Sequence, residues 1–79
     1  MDNSALILRK KKELEYSNKR LISAIDDKNQ FAFHPDPSIS ETELSQNVAR
    51  WKTHIKALER QIRELENLQT SFDEIWELL

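Results

Sequence analysis

Seventy-nine residues with twelve Lys and Arg against fourteen Asp and Glu, a net charge of -2, no Cys and no Gly allow one small domain with a thin core. Without Cys there are no disulfides or thiolate metal sites, and without Gly there are no phosphate-cradling loops or tight hairpin turns, so zinc modules and strand architectures lose support. The slight negative charge argues against a general nucleic-acid coat, and no apolar run is long enough to cross a bilayer or serve as a signal sequence, so a soluble intracellular protein, cytoplasmic by default, is expected.

The first predicted element is a helix over about residues 4–30. Asp2, Asn3 and Ser4 are all able to cap its free amides, nothing up to about Gln30 breaks it, and Arg9 with Glu13 and Lys11 with Glu15 are spaced for favourable pairs of ~0.2 to 0.5 kcal/mol each. Its apolar stripe is Ile7, Leu14 and Leu21 with Ile25, while Ser4, Lys11 and Asn18 fill the alternate seam positions, so this is the more polar half of the molecule.

Phe31-Ala-Phe-His-Pro-Asp-Pro-Ser38 ends that helix, because proline cannot donate the helical amide bond and drives its predecessor toward an extended backbone. A loop over about 31–40 follows. Ser40-Glu-Thr-Glu43 then reads as a capping box, with Ile39 and Leu44 placed as a hydrophobic staple, and predicts a second helix over about 41–79, ~58 Å long at 1.5 Å per residue.

This second helix carries the dominant pattern of the chain. Val48, Ile55, Ile62, Gln69 and Trp76 fall at heptad position a, and Leu44, Trp51, Leu58, Leu65, Phe72 and Leu79 at d. Branched residues at a with Leu prevailing at d pack knobs into holes between paired helices, and a single polar a residue such as Gln69 fixes register. Folding the chain back at His34 and Pro35 pairs Ile25 with Leu44, Leu21 with Val48, Leu14 with Ile55 and Ile7 with Ile62. That alignment sets Asn18 opposite Trp51, where its amide oxygen could accept the indole hydrogen, and lays the Lys11 stem over Leu58. The expected fold is an all-α antiparallel two-helix hairpin with a longer second helix, assembled into a larger helical bundle.

In this register helix 1 runs out opposite roughly Leu65, leaving about fourteen residues of helix 2, ~21 Å, with no intrachain partner. There the apolar stripe broadens, since Leu68 and Ile75 at g flank Phe72, Trp76 and Leu79, and Leu8 with Leu6 lies at the same pole. An apolar patch of this kind on a small protein marks an interface, so Phe72, Ile75, Trp76 and Leu79, flanked by Leu68 and Leu8, are the expected partner-binding residues.

No catalytic constellation competes with this. His34 and His54 lack metal-ligand spacing, and the carboxylate pairs Asp26–Asp27 and Glu64–Glu66 have no pocket on a hairpin surface to shift their pKa values. No enzyme activity, cofactor, metal or small-molecule substrate is expected. Arg9-Lys-Lys-Lys12, with Lys19 and Arg20, is the best argument for a helical nucleic-acid regulator, but helical phase spreads the run around the cylinder and Glu13 and Glu15 follow at once. A membrane-surface role is weaker still, because helix packing can consume the apolar stripe.

In size and hairpin layout the chain resembles small secretion chaperones, such as those guarding the needle subunits of type III secretion, and equally small coiled-coil subunits of eukaryotic assemblies. Either resemblance is one of architecture and implies a binding role, masking an apolar helix of a client or bridging partners, without transferring site residues. The expected function is therefore non-enzymatic protein–protein interaction, with a second copy or a helical hetero-partner.

Overall fold

The computed structural model describes the backbone of residues 3–78, and the side chains of these except 70–74, 76 and 78. The chain forms two helices, α1 (Ser4–Phe33) and α2 (Glu41–Leu78), folded into an antiparallel hairpin. Its principal extents are 66 × 16 × 15 Å, a rod one helix pair thick.

Helix α1 runs three residues past the expected boundary. Phe31, Ala32 and Phe33 contain no breaker, and the steric restriction of Pro35 acts on the residue before it. His34 has accordingly left the helix, at φ -133° and ψ 74°, while its N–H still donates to the Gln30 carbonyl at 2.8 Å. The loop then turns tightly. The Ile39 N–H donates to the Asp36 carbonyl at 3.0 Å across Pro37, and Asp36 Oδ1 accepts from both the N–H and the hydroxyl of Ser38, at 2.9 and 2.8 Å. Those two donors favour the charged carboxylate and hold Asp36 below its ordinary pKa of 3.8, the backbone donor contributing most. The Glu43 N–H donates to Ser40 Oγ at 3.4 Å, which is the cap that opens α2.

Four side-chain contacts fix the register. The Asn3 N–H donates to Gln69 Oε1 at 3.1 Å, Lys11 pairs with Glu66 at 3.0 Å, Glu13 lies 3.9 Å from His54, and the Tyr16 and Trp51 rings meet edge-on at 6.4 Å. On α2 the seam has the expected phase: Val48, Ile55, Leu58 and Ile62 are buried, and Leu44, Trp51, Leu65 and Gln69 are half-buried.

On α1 the phase differs. Ile7, Leu14 and Leu21 are half-buried in the seam, but the alternate positions are taken by Asn3, Lys10, Ser17, Ala24 and Phe31 instead of Ser4, Lys11, Asn18 and Ile25. Ser17 is 1% exposed, Ala24 is buried, and Ile25 is 38% exposed. The helix is turned by about one residue, which keeps Lys11 and Asn18 in water. Desolvating an unpaired amide costs ~1 to 3 kcal/mol, as much as burying the whole of Ile25 would return. Ser17 enters at little cost because its hydroxyl donates to the Glu13 carbonyl at 2.8 Å. Small side chains at 17 and 24 also let the two helices approach closely.

Two expected contacts change as a result. Asn18 does not meet Trp51, whose ring lies instead between Tyr16, His54 at 5.9 Å and the Arg20 guanidinium at 5.7 Å. Lys11 reaches past Leu58 to Glu66, while Lys10 and Lys19 pair with Glu13 and Glu15 at 3.8 and 3.5 Å, in place of the pairs expected from spacing alone.

Candidate functional site

The end of the rod away from the loop is built by the meeting of Asn3 and Gln69. Asn3 stands at the N-cap of α1 without a capping bond from its own side chain, and the residue that could return a bond to its amide, three positions on, is the apolar Leu6. Gln69 supplies that acceptor from α2. The polar residue that interrupts the α2 seam thus caps the other helix and marks where α1 stops covering α2. From residue 70 to Leu78 the helix continues for nine residues, or ~13 Å, less than the ~21 Å expected from Leu65 because the glutamine and Asn3 extend the covered length.

Leu68 and Ile75, seven residues apart on the same side of α2, are 61% and 60% exposed. The side chains of Phe72 and Trp76, and Leu79 entirely, lie outside the described residues, as does Asp2 among the capping candidates. Leu8 is also exposed, but on another side of the molecule. Leu68 lines a shallow depression with Lys10, Gln61, Glu64 and Leu65, whereas Leu8, three residues before Lys11, belongs to the flank that carries the Lys11–Glu66 pair. Leu68 and Leu8 therefore share a pole but not a face.

The outer side of α2 carries a second stripe that the seam pattern concealed. Gln46, Ala49, Arg50, Thr53, His54 and Ala57 line an open groove of about 630 Å³, floored by small side chains. Continuing at helical spacing, the same stripe passes Gln61 and Glu64 and reaches Leu68 and Ile75. In heptad terms the small residues at 49, 53 and 57 fall at b, f and c and Leu68 and Ile75 at g, so the stripe runs behind and beside the seam and carried no periodic signal of its own. Beside the groove, Asn47 and Trp51 join Arg50 and His54 in a smaller depression.

The basic residues of α1 are largely engaged. Lys10, Lys11 and Lys19 lie in ion pairs and Arg20 lies over Trp51, so the run from Arg9 to Lys12 does not stand as one free cationic stripe. Tyr16, Ile22 and Phe33 are exposed apolar side chains that sequence reasoning did not single out, and their positions off the seam offered no periodic signal. Among the described residues no group of His, Cys, Asp and Glu is arranged to hold a metal ion, and no helix is long and apolar enough to cross a membrane. Compared with protein-family models, curated proteins and solved structures, the chain matches none.

Proposed function

We propose that this hairpin is a non-enzymatic protein–protein interaction module, in which the end of α2 beyond Gln69, with its flanking Leu68, packs against a helical partner chain. One observation carries the reading: Leu68 and Ile75 stand open on one side of α2, on either side of the point where Gln69 meets the start of α1. Burying such side chains fully contributes ~1.5 to 3 kcal/mol each before ordering costs, and two or three of them anchor an interface. The exposed ion pairs nearby contribute little to affinity and serve orientation instead.

The test compares the wild type with L68S/I75S and with F72S/W76S. Both variants should keep their helicity and lose association, whether with a second copy, measured as mass in solution, or with the protein retained from the native cell extract. A fully helical monomer that retains nothing from the extract, unchanged by either variant, would overturn the proposal.

A further inference from the structure

We infer that the helix seated on this surface is the α2 of a second copy of the chain, packed antiparallel through the outer stripe and crossing level with residues 61–64. This deepens the proposal above and rests on it. Three features of the stripe point to self-pairing.

The first is shape. The Ala49–Thr53–Ala57 groove offers a floor of small side chains, and Leu68 and Ile75 are the large ones that such a floor accommodates. When two α2 helices cross near residue 62, Ala57 of one copy stands level with Leu68 of the other, and Arg50 with Ile75. Leu68 then meets Ala57 twice, once on each side of the two-fold axis as an isologous interface requires, and Ile75 lies along the Arg50 stem.

The second is charge. On and beside the stripe the first half of α2 carries Arg50 and Arg60, and the second half carries Glu64. Antiparallel pairing across the two-fold axis brings Arg60 of each copy opposite Glu64 of the other. Parallel pairing would set each half against its like and leave the groove unfilled.

The third is continuity. The stripe follows helical spacing from Gln46 to Ile75 on one side of a 38-residue helix, so two copies can meet along a length that neither the α1 face nor the loop offers.

The experiment uses the full chain, whose lack of cysteine makes introduced thiols unique. R50C/I75C under mild oxidation, or with a short dithiol-reactive crosslinker, should give a covalent dimer, while I75C alone gives none because the two sites would lie ~37 Å apart along the axis. In sedimentation, L68S/I75S should raise the dimer dissociation constant at least tenfold. R60E should weaken pairing severalfold, and adding E64R in the same chain should restore it. A wild-type monomer at high concentration overturns the second-copy inference and leaves the interaction module to be judged by what the extract supplies. A dimer crosslinked through I75C alone overturns the antiparallel arrangement while preserving self-association. A dimer indifferent to L68S/I75S overturns both.

Discussion

Ser17 decides which face α1 presents. A serine in mid-helix is neither apolar nor helix-favouring, yet here it is the least exposed of the described residues, because a small, locally satisfied hydroxyl costs less to bury than the lysine or asparagine beside it. S17L should therefore overpack the seam and destabilise by about 1 to 3 kcal/mol in denaturant unfolding, whereas N18L, next door in water, should stay within about 0.5 kcal/mol. The reverse ranking would return α1 to the phase read from Ile25. Asp36 sets a second residue-level expectation. Its folded pKa lies below its unfolded value, so its contribution to stability is complete above about pH 3.9 and is lost as the pH falls through the lower, folded value. In a carbon-detected NMR titration the Asp36 midpoint should lie below 3.8. S38A should move it part of the way back, since the backbone donor remains.

The elements differ in how far their sequence announces them. Helix α2 was legible almost to the residue: Ser40 and Glu43 mark its start, and the buried Val48, Ile55, Leu58 and Ile62 recur at spacings of seven, three and four. The fold followed, because two prolines in one short segment leave the two helices little alternative to a hairpin. The phase of α1 was not legible, since Ile7, Leu14 and Leu21 serve either phase and the alternate positions of both carry polar residues, so nothing in the sequence separates Ala24 from Ile25. Of the candidate site, the exposure of Leu68 and Ile75 was legible, but the groove was not, because alanines at 49 and 57 signal nothing until a neighbour is placed around them. The N-terminus of α1 has its own test. Q69A removes the acceptor of the Asn3 amide and should cost about 0.5 to 1.5 kcal/mol, read as faster hydrogen exchange over the first turn of α1 and little change near the loop.

For the whole molecule, a rod 15–16 Å across has no second layer, and its buried apolar side chains are Ala24, Val48, Ile55, Leu58 and Ile62 among the described residues. Deleting one of these is a large fraction of what so small a core supplies. L58A, at a site 2% exposed, should cost about 2 to 5 kcal/mol and largely unfold an isolated hairpin, as followed by circular dichroism. If two copies pair, the midpoint temperature should also climb with protein concentration, since association stabilises by mass action.

The bond between Asn3 and Gln69 spans 66 positions of chain, while the Asp36 turn joins immediate neighbours. Loop-closure entropy grows with the length enclosed, so the hairpin should form as a zipper from the turn, with the Asn3–Gln69 end last to close and first to reopen. Assembly and folding then share one coordinate. A copy docked on Leu68 and Ile75 sits where the zipper is weakest, and it should slow unfolding more than it speeds folding.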